Sequence, residues 1–135
     1  MSAAELGRML RFLVVGVLNT MVGLGSIYIC KYFFALDDVP ANVIGYLFGL
    51  TNSFFWNRKW TFAHSGDTAR TIVKFVLTFL VAYAANLATV LSLVHSGVNA
   101  YLAHALATAP YTAIFYIGSR YFVFTQPAAR PEPTA

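Results

Sequence analysis

The sequence predicts an all-α, polytopic membrane protein with four transmembrane helices. Four long apolar stretches, 12–33, 39–57, 72–94 and 98–118, hold a single charged residue away from their ends, Lys74. Each is close to the ~20 residues an α-helix needs to cross ~30 Å of hydrocarbon. Of the 135 residues, 59% are hydrophobic and 10% charged, where a soluble domain carries about 25% charged residues. Residues 1–125 are therefore expected to form one transmembrane domain. Residues 126–135, rich in Pro and Ala, are expected to be a disordered tail.

The basic residues predict the orientation. Arg8 and Arg11 precede the first span, Arg58, Lys59, Arg70 and Lys74 surround the loop between the second and third, and Arg120 and Arg130 follow the fourth. Only Lys31 falls on the other side, in a connection that also holds Asp37 and Asp38. The positive-inside rule puts both termini in the cytoplasm and the short connections near 34–39 and 95–97 outside. The same one-sided distribution argues against nucleic acid as the reason for the net charge of +4. Arg8 and Arg11 followed by an apolar run resemble a signal peptide. The run continues past Asn19 for two more turns with no A-x-A cleavage site, so an uncleaved first span is expected. The lone Cys30 is expected to be a small buried residue.

In the first span Gly16, Thr20 and Gly23 are spaced to share a face that another helix can approach closely. The second begins after Pro40, a favourable first-turn residue, and ends in the basic NRK. The third carries Ala82, Asn86, Thr89 and Leu93 along one stripe. The fourth contains Pro110, which removes an internal hydrogen bond and is expected to bend the helix. His104, in the same span, is expected to hydrogen-bond another helix, and His64 to lie solvated in a loop. NRKWTF (57–62) aligns with SRYFVF (119–124), and Arg11-Phe12 resembles Lys74-Phe75. This pattern predicts two helical hairpins derived from one unit, with a pseudo-axis along the membrane normal.

No enzyme constellation is present: no paired carboxylates, metal-ligand cluster, nucleophile elbow or Gly-rich phosphate loop. No catalytic activity and no cofactor are expected. The polar residues inside the spans are amides and hydroxyls, among them Asn19, Thr20, Asn52 and Asn86, and each amide needs a partner in protein or cavity water. Two readings follow: helix–helix hydrogen bonding, or a polar lining for a substrate headgroup. Asn52, Trp56 and Lys59 lie on one stripe that runs into the cluster Asn57, Arg58 and Lys59. Arg11, Lys74 and Arg120 are expected at the same depth, where bundling can converge them on one anion such as a phosphate. The alternative is interfacial anchoring, with Trp56, Trp60, Tyr121 and Phe122 as an aromatic belt.

The segments RFLVVGVLNT, NSFFWNRKWTF, KFVLTFLVAYAAN and SRYFVF together resemble the GtrA-like family, over roughly residues 7–124. By that resemblance Gly16, Asn19 and Thr20 belong to one motif and Asn52, Asn57, Arg58, Trp60 and Phe62 to another. The resemblance implies a small four-helix protein of the bacterial cytoplasmic membrane, associated with cell-surface polysaccharide synthesis. It implies translocation of a polyprenyl-phosphate-linked monosaccharide. Arg58, Lys59, Arg11, Lys74 and Arg120 would then bind the phosphate, and Asn19, Thr20, Asn52, Asn57 and Asn86 the sugar. One protomer offers little room for such a groove, so a homo-oligomer is expected. A second reading is an accessory membrane subunit that recruits or orients a polyprenyl-phosphate glycosyltransferase. A third, a small multidrug exporter, wants an acidic residue within a span. Glu5, Asp37, Asp38, Asp67 and Glu132 all fall in predicted tails or loops.

Overall fold

A computed structural model describes residues 2–125 and contains four long helices: α1 Ala3–Phe34, α2 Asp38–Trp56, α3 Thr68–His95 and α4 Ala100–Gly118. There is no strand among the described residues. The expected tail, 126–135, lies outside them. α2 runs directly into a π-helical turn, Asn57–Thr61, and α4 into another, Ser119–Val123. The chain divides after Ala63 into two compact units, each a helical hairpin.

α1 and α3 outrun their apolar stretches, and polar capping residues set where they and α4 begin. α1 begins at Ala3, where the Glu5 N–H donates to the Ser2 hydroxyl at 3.2 Å. α3 begins after Asp67, which accepts from the Arg70 N–H at 2.7 Å, and α4 after Asn99, which accepts from the Tyr101 N–H at 2.9 Å. Glu5 and Asp38 thus stand in first helical turns, where the helix dipole favours a negative charge, and not in a tail and a loop. α1 stops at Ala35, which takes the left-handed conformation at φ 51°. Lys31 in the last turn of α1 pairs with Asp38 in the first turn of α2 across the short connection. Gly97, at φ 85°, turns the connection between α3 and α4.

α1 and α3 are each long and apolar enough to cross a membrane. α2 and α4 have 19 residues each, about 28 Å of helix at 1.5 Å per residue. Large apolar groups such as Val17, Met21, Phe48 and Leu91 are more than half exposed. Such a surface is a liability in water and costs nothing against lipid tails. α4 runs unbroken through Pro110.

In the first hairpin α2 presents Ala41, Gly45, Gly49 and Ser53, every fourth residue, as its buried ridge. A Cβ on Gly45 would lie 2.8 Å from the Gly23 carbonyl oxygen and 2.4 Å from the Ile27 side chain, so the α1 backbone and Ile27 together fill the space that a side chain at 45 would need. On α1 the facing residues are Phe12, Val15, Gly23 and Cys30. Gly16 and Thr20, expected to share the packing face with Gly23, lie on its flank. A Cβ on Gly16 would touch nothing, and Thr20 is exposed with its hydroxyl bonded back to the Gly16 carbonyl. Phe12 and Val15 set the buried stripe, and it reaches Gly23 through Asn19.

The second hairpin repeats this plan. Ala41, Gly45, Ser53, Asn57, Thr61 and Phe62 correspond, 62 positions on, to Ala103, Ala107, Phe115, Ser119, Val123 and Phe124, and all twelve are buried. Phe12 and Val15 correspond to Phe75 and Thr78, 63 positions on and also buried. The offset differs by one because the second hairpin has one residue fewer between its helices' buried ridges. Where Gly23 meets Gly45, the second hairpin places Asn86 against Ala107, and the Asn86 amide donates to the Ala107 carbonyl at 3.0 Å. Near the π turn the second hairpin uses rings instead of small residues: Phe75 lies 5.2 Å from Phe115, which also meets Phe79 at 6.3 Å and Tyr111 at 5.7 Å.

Both histidine expectations change. His64 is half-buried, with Nε2 3.2 Å from the Thr71 hydroxyl and its ring 5.8 Å from Phe124. Gly66 gives it room to fold over the loop. His104 is exposed on α4, and its side chain makes no hydrogen bond to another helix among the described residues. Cys30 is buried, as a small apolar residue should be.

Candidate functional site

The two π turns carry four of the ten residues to which the sequence points, Asn57, Arg58, Lys59 and Arg120. Each is closed by a phenylalanine N–H: Phe62 donates to the Asn57 carbonyl at 2.9 Å and Phe124 to the Ser119 carbonyl at 2.8 Å. In an α-helix Phe62 would sit about 140° round from Asn57. The wider π turn brings both to the buried side, where Phe62 packs on Phe12 with ring centroids 6.3 Å apart. Phe124 packs on Phe75 in the same way, at 6.2 Å. The residues between the inward ones, Arg58, Lys59 and Trp60 in one turn and Arg120, Tyr121 and Phe122 in the other, remain wholly or partly exposed.

Each of the five cations expected to bind phosphate lies over an aromatic ring of its own hairpin. In the first, Arg58 lies 5.8 Å from the Phe54 ring and Lys59 4.5 Å from Phe55, each one turn back along the same helix. Arg11 reaches from α1 to lie 5.7 Å from the Trp60 ring, and its Nη1 donates to the Trp60 carbonyl at 3.3 Å. In the second, Lys74 lies 5.0 Å from Phe122 and Arg120 5.0 Å from Tyr121. Arg11, Arg58 and Lys59 thus gather at one end of the first hairpin, and Lys74 and Arg120 at the corresponding end of the second. An aromatic quadrupole holds a cation without neutralising it, so the charge stays available to an anion.

The amides are engaged differently. Asn52 Nδ2 donates to Asn19 Oδ1 at 2.7 Å, tying α1 to α2. Asn57 Nδ2 donates to the Ser53 hydroxyl at 3.1 Å, inside the first hairpin. With Asn86 bonded to Ala107, three of the five residues expected in a headgroup groove make helix–helix bonds (Asn19, Asn52 and Asn86). Asn57 is buried and Thr20 bonds its own helix. Asn19 and Asn52 are half-buried, and their remaining donor and acceptor have no partner among the described residues. Asn52 and Trp56 stand on α2 and Lys59 in the π turn that continues it, and the ring under Lys59 is Phe55.

Three features went unread in the sequence. Trp60 and Phe122 are the seats of Arg11 and Lys74; the only signal was the aromatic at the fourth position of each aligned hexapeptide. The Asn57 Oδ1, Thr61 hydroxyl and Ser119 hydroxyl are buried without hydrogen-bond partners among the described residues. Asn57 and Ser119 are the first residues of their π turns, so both hairpins bury an unpaired polar atom at the same place. π-helical turns often accompany functional positions.

A family model described as "GtrA/DPMS, transmembrane domain" matches residues 11–124, from the cation of α1 to the last buried phenylalanine. Among curated proteins the chain is similar to the "Uncharacterized membrane protein YngA" of Bacillus subtilis (strain 168). The two are 28% identical over 115 residues, covering 84% of this chain and 77% of that one.

Proposed function

Because the chain belongs to the GtrA/DPMS transmembrane-domain family, we propose that it serves cell-surface polysaccharide synthesis by moving a polyprenyl-phosphate-linked monosaccharide across the bacterial cytoplasmic membrane. The observation that carries the reading is the rebuilding of one cation-on-ring arrangement at the corresponding ends of both hairpins. Such a lipid has an anionic phosphate, a polar sugar and a long apolar tail. The tail can stay in hydrocarbon, which the large exposed side chains of the helices already match. The head cannot, because stripping water from its charge costs many kcal/mol. Arg58, Lys59, Arg11, Lys74 and Arg120 supply charge for the phosphate at the cytoplasmic boundary, where Arg offers paired donors and Lys a mobile charge. The unused amide atoms of Asn19 and Asn52, with Asn57, Asn86 and Thr20, are the polar groups nearest to serving the sugar. Two or more chains would enclose the head better than one.

Reconstitution in liposomes with a labelled polyprenyl-phosphate sugar tests this reading. The lipid should equilibrate between leaflets faster than in protein-free vesicles, under conditions where a known flippase works. No acceleration would defeat it. Arg58→Ala should weaken headgroup binding well beyond Arg130→Ala, and equal affinities would remove Arg58 from the site.

The engagement of most span amides in helix–helix bonds favours a second reading, an accessory subunit that orients a polyprenyl-phosphate glycosyltransferase without transport. The exposed Lys59 and Trp60 would then meet the enzyme. A stable complex with a co-expressed glycosyltransferase, together with no lipid movement by this protein alone, would select it.

A further inference from the structure

The capture of a lipid phosphate proposed above leaves open how many heads one chain holds. We infer that each hairpin carries its own seat for a lipid-borne phosphate, Arg11 with Trp60 in the first and Lys74 with Phe122 in the second. One chain then holds two headgroups, where the sequence alone suggested five cations converging on one.

The inference starts from positional equivalence. Arg11 and Lys74 each directly precede the phenylalanine, Phe12 or Phe75, that packs on the closing phenylalanine of the π turn, at 6.3 and 6.2 Å. Trp60 and Phe122 each stand two residues before that closing phenylalanine. The cation-to-ring distances are 5.7 and 5.0 Å. The chemistry differs, guanidinium on indole and ammonium on phenyl, while the backbone placement is the same. A residue that only fastens a helix to the bilayer surface needs the right depth, and any neighbouring ring serves. Here unlike residues rebuild one geometry, in which the cation comes from the first helix of the hairpin and the ring from the π turn after the second.

The charge at each seat is uncompensated. Among the described residues neither Arg11 nor Lys74 has a carboxylate partner; the ion pair of this surface type lies elsewhere, between Lys31 and Asp38. Arg11 gives one donor to the Trp60 carbonyl and keeps the rest of its fork. The Lys74 ammonium, 5.0 Å from the Phe122 ring, has no hydrogen-bond partner among the described residues and keeps three donors. The ring beneath each cation shields one side from water and limits its motion, which preorganises the donors. Phosphate oxygens are the acceptors that such a charge binds most strongly. The exposed ring beside it offers apolar contact to the first units of a lipid tail.

Native mass spectrometry of the full-length chain, released from micelles and titrated with farnesyl phosphate, counts the seats. The wild type should bind two molecules per chain and none of farnesol. Arg11→Gln should lose one, Lys74→Gln the other, and the double variant both, with at least a tenfold weaker affinity at the altered seat. Inorganic phosphate separates the sources: two phosphates bound means that the seats read the free anion, and none means that they need the lipid. Arg11→Lys combined with Trp60→Phe copies the second seat into the first hairpin and should keep two ligands. A single ligand lost equally in either glutamine variant would overturn the inference, as would two ligands indifferent to both or a folded copied-seat variant that binds only one. Because the assay does not read transport, its outcome is separable from the proposed function. Two seats on a chain that moves no lipid would remove translocation alone, and one shared seat on a chain that moves lipid would remove only the present inference.

Discussion

Thr61 shows how much a single buried atom can reveal. Its hydroxyl is buried without a partner, while the equivalent position in the second hairpin is Val123. Desolvating an unpaired hydroxyl costs about 1–3 kcal/mol, and an apolar group of the same shape removes that cost. Thr61→Val should therefore stabilise the protein, by roughly 1 kcal/mol, read as a higher midpoint in a detergent-based thermal melt. A loss of transport in that stabilised variant would mark Thr61 as functional, and a lower midpoint would mean that the hydroxyl has a partner in the membrane. Gly45 carries the opposite expectation. Its added methyl would meet the Gly23 carbonyl at 2.8 Å, and backbone cannot move aside as a side chain can. Gly45→Ala should destabilise by about 1–3 kcal/mol, the usual cost of overpacking. Gly16→Ala, with nothing within 4 Å, should be neutral in the same melt.

Within each hairpin the helices are joined by one amide device. The Asn19–Asn52 bond ties α1 to α2, and the Asn86–Ala107 bond ties α3 to α4. Interhelical polar bonds in membranes average about 0.6 kcal/mol, with about 1.7 kcal/mol as a measured maximum. A double-mutant cycle on Asn19→Ala and Asn52→Ala should give a coupling in that range, and zero coupling would break the pair. The helices themselves were legible in the sequence, because four apolar runs separated by charge leave few alternatives. Their ends were not, since Ser2 and Asp67 cap helices that extend beyond the apolar runs and Asn99 starts one inside its run. The duplication was legible only at its aromatic and basic anchors. Its fuller form, a buried ridge at every fourth residue, was hidden because Gly45 and Ala107, or Ser53 and Phe115, look unlike while filling the same place. The π turns were illegible: their extra residue moves Phe62 and Phe124 inward, against the 3.6-residue period by which a helix is read. For the same reason the rings that hold the cations were not foreseen.

For the molecule as a whole, the positive-inside rule predicts four spans with both termini in the cytoplasm. Reporter fusions at residue 2 and after residue 125 should both report cytoplasmic, and a fusion at Gly97 periplasmic; a split between the two ends would refute a four-span topology. The membrane domain, the family and the paired hairpins account for the composition, and the proposed role follows from the charge left at the hairpin ends. The measurement that bears on that role most directly is the initial rate at which a labelled polyprenyl-phosphate sugar changes leaflet in liposomes. It should be made with wild type, with Arg11→Gln/Lys74→Gln and with Lys31→Gln, whose cation lies at the opposite end of the first hairpin. The account predicts acceleration by wild type and Lys31→Gln, and at least a tenfold fall in the double variant. Equal rates in all three, or no acceleration by any, would contradict it.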